Sequence, residues 1–179
     1  MPVQRRPAIS PGYVATMARY NAEMNRRLYE AAGRLSDDAR RQDRGAFWGS
    51  IHGTLCHLVW ADRMWMSRFA GWPPPPVPSP QSAAMIADFA DLRSAREADD
   101  AGLIAFADAV IEDWLAGDLT WFSGAAQREL TSPRDFLLIH LFNHQTHHRG
   151  QAHAMITAAG EKTGDTDLFL ITAPVGWPT

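Results

Sequence analysis

Asn143-His144-Gln145-Thr146-His147-His148-Arg149-Gly150-Gln151 holds three of the chain's seven histidines within five residues. The stretch lies inside a long apolar-periodic segment. Read as a helix, it puts His144 and His148 one turn apart on one face. Cβ atoms at that spacing stand about 5–6 Å apart, so two imidazoles can converge on one divalent ion. A third donor must come from another element, and His57 offers one on a second apolar helix.

Around this stretch the pattern is helical on both sides. Phe136, Leu137, Ile139 and Phe142 lead into the cluster, and Met155 and Ile156 continue the core face. Ser132 predicts an N-cap, Pro133 a first helical position and Asp135 a capping-box carboxylate. Gly160 predicts the stop. Just upstream, residues 118–131 break the pattern. Thr120, Trp121 and Phe122 favour extended structure and Ser123-Gly124 a turn, so a small hairpin is expected there.

Three more helices are expected before the hairpin. Tyr13, Met17, Tyr20, Met24, Leu28 and Ala31 recur at helical spacing, with Gly33 as the stop. Residues 34–46 read as an exposed connection of mixed charge, with a short helical turn after Ser36. The second helix spans about Trp48 to Ala70. Its stripe of Ile51, Leu55, Leu58, Val59, Trp65, Met66 and Phe69 contains one anomalous carboxylate, Asp62. Gly71 and the run Pro73-Pro74-Pro75-Pro76-Val77-Pro78 end it. The third helix is expected from Ser79 or Ser82 to Ala116, with a kink near Asp99-Asp100 and Gly102.

The fold class is therefore all-α. The expected architecture is a four-helix bundle with long connections and a small β-hairpin before the last helix. A chain of 179 residues with 46% apolar composition is read as one domain. Its core covers about 10–160, with a loose arm over 1–10 and a tail over 161–179. A net charge of -3 carries none of the basic footprint of a nucleic-acid binder. No apolar run reaches the ~18 residues of a membrane span, and no signal-peptide core follows the charged start. The single Cys56 suits a reducing compartment, so a cytoplasmic protein is expected.

Periodicity alone leaves the ligand set open. His140 pairs with His144 as well as His148 does, and His147 can replace His148. His52 is about 140° around the helix from His57, at ~100° per residue, so the two do not face one point. His153 falls on the far side from His144.

Two segments resemble the DinB/YfiT-like superfamily of four-helix-bundle metalloproteins. One is Ser50-Ile51-His52-Gly53-Thr54-Leu55-Cys56-His57-Leu58 with Ala61-Asp62-Arg63-Met64-Trp65. The other is His140-Leu141-Phe142-Asn143-His144-Gln145-Thr146-His147-His148-Arg149-Gly150-Gln151. The likeness in element order covers about 10–160. It implies that His57, His144 and His148 hold a divalent metal, zinc or nickel before iron or manganese, and that the chain forms a homodimer. Cys56 stands where relatives often carry Asn.

Three imidazoles leave a position for water or for a thiol. The resemblance implies a metal-dependent hydrolase, or a transferase using a low-molecular-weight thiol, acting on a small electrophile through a metal-bound water or thiolate. The alternative is a non-catalytic, dimeric metal-binding bundle associated with stress response. A fourth protein ligand such as His147 or Asp62 would favour that alternative. Gln145 stands where a His-Glu-x-x-His peptidase has its base, which argues against peptide hydrolysis of that type. Asp62 is read either as a carboxylate supporting the metal site or, with more weight, as a buried ion pair with Arg63 or Arg149. Trp60, His140 and His147 are candidates for the pocket wall, Trp48 for core packing, and Cys56 for inert packing rather than a nucleophile.

Overall fold

Three of the four long helices start with the same device. A short polar side chain just before the helix accepts a backbone N–H of the first turn, which would otherwise lack a partner. Ser10 accepts from Tyr13, Ser50 from Gly53, and Asp88 from both Ala90 and Asp91. These details come from a computed structural model, which describes residues 5–124 and 126–176. The elements are α1 (Pro11–Gly33), α2 (Asp37–Arg41), α3 (Ile51–Ala70), a 3₁₀ turn (Ser79–Ala84), α4 (Phe89–Ala109) and α5 (Glu112–Ala116). Then come β1 (Asp118–Ser123), β2 (Arg128–Pro133), α6 (Arg134–Ala158) and α7 (Leu168–Ile171). The chain is predominantly helical, with one antiparallel two-stranded sheet. None of the described helices is long and apolar enough to cross a membrane.

The hairpin falls where Thr120-Trp121-Phe122 predicts it, in a register that pairs Thr120 with Thr131. Gly71 closes α3 in the left-handed conformation at φ 69°. Gly160 follows α6 at φ 94°.

Several boundaries differ from expectation. The third helix is not continuous from Ser79 to Ala116. Asp88 caps a fresh start at Phe89, and the extended backbone at Val110 separates α4 from α5. No break occurs at Gly102. A Cβ there would come within 2.6 Å of the Trp72 indole, so glycine serves close packing rather than bending. The second helix starts at Ile51, because Trp48 lies in a tight turn closed by the Ala46–Gly49 bridge. Gly33 ends α1 as a helical residue, with Arg34 as its cap. Ser132 does not cap α6, because it pairs with Leu119 in the hairpin. Asp135 accepts instead from Arg5 at 2.6 and 2.9 Å and from the Ala8 N–H at 2.6 Å. The described part of the N-terminal arm is thus tied down, not loose.

α1 and α3 each pack against both α4 and α6. Two apolar clusters fill the interior. One gathers Leu28, Tyr29, Ile51, Leu55, Leu92, Met155 and Ile156. The other gathers Val14, Met66, Leu103, Leu138, Leu141 and Phe142. On every long helix, buried polar residues fall between the two sets: Asn21 and Asn25, Asp62, Arg96 and Asp99, and Gln145 and Arg149. The interior is therefore divided by a polar layer to which all four long helices contribute.

Asp62 is the centre of that layer. Its partner is Arg96 of α4, with Nη1 donating to Oδ2 at 2.6 Å, and not Arg63 or Arg149. Arg63, about 100° further round α3, reaches Asp99 at 2.7 Å. Arg96 also stands 2.9 Å from Asp100, and Asn25 donates to the same carboxylate. Burial pushes the Asp100 carboxyl up, and Arg96 pulls it down. Burial brings the Arg149 guanidinium down to about 10, so it stays charged at neutral pH.

Candidate metal centre

α3 carries His57 on its inner face, and α6 carries His144 and His148 one turn apart. The packing of α3 on α6 brings one ring nitrogen of each within 4.8 Å of the others. His57 Nε2 and His144 Nε2 are 3.4 Å apart. His57 and His148 are buried, and His144 is half-buried. No Asp, Glu or Cys joins the group among the described residues. Three imidazoles so placed could hold a metal ion.

The outer ring nitrogens explain how two of the rings are aimed. His57 Nδ1 lies 2.9 Å from Ser82 Oγ, a fully buried hydroxyl of the 3₁₀ turn. His148 Nδ1 donates to Gln151 Oε1 at 2.8 Å. The Gln151 oxygen holds the His148 proton on Nδ1 and leaves its Nε2 lone pair free for the cluster; the Ser82 hydroxyl can accept the His57 Nδ1 proton in the same way. His144 Nδ1 is buried and has no hydrogen-bond partner among the described residues.

Indoles flank the site. Trp48 stacks on His57 with ring centroids 3.9 Å apart, and Trp60 lies nearly parallel to it at 5.8 Å. The Trp60 N–H donates to the Val77 carbonyl at 2.8 Å, which ties the proline-rich connector over α3. Trp48 comes this close only because residue 53 is glycine. A Cβ there would sit 2.5 Å from the Trp48 carbonyl oxygen.

Burial, and then the neighbouring imidazoles of His148 and His144, push His57 down to about 3. Burial, followed by His148, His140 and His147, brings His144 to about 4. Burial also lowers His148, against the opposing bond to Gln151. All three rings are therefore neutral at pH 7, the form that binds metals.

A prediction follows from the sign of these shifts. Below the ordinary histidine value of about 6.5, the unfolded chain takes up protons that the folded chain refuses. Stability of the metal-free protein is thus fully present above pH 6.5 and is lost as pH falls through about 4. Urea denaturation between pH 7.5 and pH 4.5 measures this loss, and His57→Phe should reduce its slope. An equal slope in the variant would show that His57 is not held neutral.

The other candidates fall at different distances from the cluster. Trp60 stands against His57. His140 is exposed, 5.8 Å from His144 between ring centroids and against Trp65. His147 is exposed, with Gln151 Nε2 3.4 Å from its Nε2. Neither joins the three clustered nitrogens. Asp62 is held by Arg96 in the polar layer. His52 Nε2 lies 2.8 Å from the Ile86 carbonyl, and Cys56 Sγ accepts the Ile86 N–H at 3.2 Å. Burial raises the Cys56 thiol. These two residues hold residue 86 and do not join the three clustered nitrogens.

The family model of the DinB family matches residues 5–174, nearly the whole chain. The chain belongs to the DinB family. No curated protein and no solved structure matches it. For a DinB-family chain, the sequence motifs point to His57, His144 and His148, but not to what surrounds them. Ser82 sits in a proline-rich connector 25 residues from His57 and carries no signal of its own. Trp48 read as core packing, because the turn that folds it back onto His57 is a tertiary feature. Gln151 was given no role beside His148, although its spacing of three was a usable hint.

Proposed function

We propose that this DinB-family chain is a metal-dependent enzyme built on a four-helix bundle. His57, His144 and His148 hold the ion, and the substrate is a small electrophile. The observation that carries this reading is the convergence of three neutral imidazoles with no fourth protein donor among the described residues. A closed structural site would use four protein ligands, whereas three leave a position for a reactant. Imidazole donors suit zinc or nickel, with iron or manganese less well matched. Bound there, the ion would act as a Lewis acid and lower the pKa of a coordinated water or thiol.

The chain's own residues supply orientation and shielding. Ser82 and Gln151 fix two of the rings. Trp48 and Trp60 wall the cluster and exclude water from one side, which strengthens electrostatic interactions within. No carboxylate joins the cluster to serve as a base for water. A coordinated water and a coordinated thiol would each lose one proton to give the nucleophile, so the reading covers both hydrolysis and transfer of a low-molecular-weight thiol. A homodimer belongs to the same reading, supported by the exposed Ile111, Phe122 and Phe136. So does a cytoplasmic location, supported by the single, unpaired Cys56.

Cobalt substitution tests the reading directly. Titrating the cobalt protein with a small thiol such as cysteine should produce a sulfur-to-cobalt charge-transfer band in the near ultraviolet, absent in His144→Ala. Loss of activated esters in the absence of thiol, with no such band, would select hydrolysis. Neither signal would support the non-catalytic bundle.

A further inference from the structure

A row of rings leads from the histidine cluster along α3 and α6 to an unpaired cation. Arg68 follows His57 by eleven residues on α3, so at ~100° per residue it returns to within about 20° of the same face. It stands about three turns further along, roughly 16 Å at ~1.5 Å per residue. Its guanidinium carbon lies 4.6 Å from the Trp65 ring, one turn back toward His57. On α6, His140 precedes His144 by one turn, with ring centroids 5.8 Å apart. The rings of Trp65 and His140 meet at 5.2 Å. The row therefore runs from His144 through His140 and Trp65 to Arg68.

Arg68 is half-buried and has no anion beside it. It makes no ion pair and no hydrogen bond among the described residues, and burial alone lowers its pKa. None of its nitrogens is sealed from solvent. Besides Trp65 it meets the ring of Trp121 from the hairpin, at 5.6 Å. Indole faces stabilise a guanidinium but leave its in-plane N–H donors unused. Such donors, cationic, partly desolvated and open, are the complement of a carboxylate. We propose that Arg68 sets the specificity of the histidine site: the molecule that takes the open position there carries a carboxylate at its far end, on Arg68, with an apolar body along His140 and Trp65. This rests on the reading of the cluster as a metal centre with a free position. The helix rise, less the reach of the arginine side chain, puts the carboxylate on the order of 10 Å from the ligating atom.

The test titrates the cobalt-substituted full chain with two pairs of thiols at constant ionic strength, reading the sulfur-to-cobalt charge-transfer band. The long pair is ω-mercaptooctanoate and ω-mercaptooctanol, whose extended chain spans the required distance. The short pair is mercaptopropionate and mercaptopropanol. The long acid is expected to bind about tenfold tighter than the long alcohol, and the short acid no tighter than the short alcohol. This dependence on length is read in the wild type and needs no variant. Arg68→Met should bring the long acid and alcohol to equal affinity, and Arg68→Lys should keep part of the preference. Equal affinity for the long pair in the wild type, or a preference that survives in Arg68→Met, would overturn the assignment of Arg68 while leaving the metal site standing. A short acid that gains as much as the long one would overturn it too, because charge near the ion would then decide. No band with any of the thiols would overturn the metal reading and this proposal with it.

Discussion

Asp62→Ala will lower the stability of the fold by about 3–5 kcal/mol and leave the metal content of the protein unchanged. Asp62 is fully buried and Arg96 is 2% exposed. Removing the carboxylate leaves a buried charge short of a partner, which costs far more than the pair contributes. Asp100 remains 2.9 Å from Arg96, which sets the loss toward the lower end of that range. Urea denaturation measures the loss. The double variant Asp62→Leu/Arg96→Met should recover most of it, because apolar side chains of similar volume replace a buried pair at little cost. A small stability loss accompanied by loss of bound metal would instead place Asp62 in support of the histidine cluster.

Ser82→Ala will weaken metal binding by about 10- to 100-fold while leaving the helical content unchanged. The Ser82 hydroxyl is the group within hydrogen-bonding distance of His57 Nδ1. Without it, the ring loses the contact that aims it, and Nε2 no longer presents a fixed lone pair. Competition with a chromogenic chelator measures the affinity for zinc and for nickel. Ser82→Thr, which keeps the hydroxyl, should retain most of it. Equal affinity in wild type and Ser82→Ala would show that the indoles and helix packing alone hold the ring.

The long helices were legible because their apolar residues repeat at helical spacing and their ends carry chemical punctuation. Gly71 with its prolines stops α3, and Ser36 begins the short α2. The break at Val110 was not legible, since the apolar period runs through it into α5. The start of α6 was misread for a related reason. Ser132 and Pro133 look like a cap, but their backbone is committed to the strand opposite Asp118 and Leu119.

The candidate site divides the same way. Helical spacing on α6 left His140, His144, His147 and His148 as competing choices. The likeness to DinB proteins pointed to one trio, and the packing of α3 on α6 brings that same trio together. Ser82 and Trp48 carry no comparable mark, because their roles exist only once the connector and the turn before α3 fold back over His57. The polar layer was hidden in another way. Each helix contributes one or two polar residues, and Arg96 lies among other charged residues of α4 with nothing to single it out. Asp62 alone stood out, and its partner could not be read from spacing because it lies on another helix.

Elemental analysis of untagged protein, purified without chelators, tests the central claim most directly when run beside His57→Ala. The account predicts near-stoichiometric zinc or nickel in the wild type and none in the variant. A wild-type protein that carries no metal, and takes up none when each ion is supplied, would contradict it.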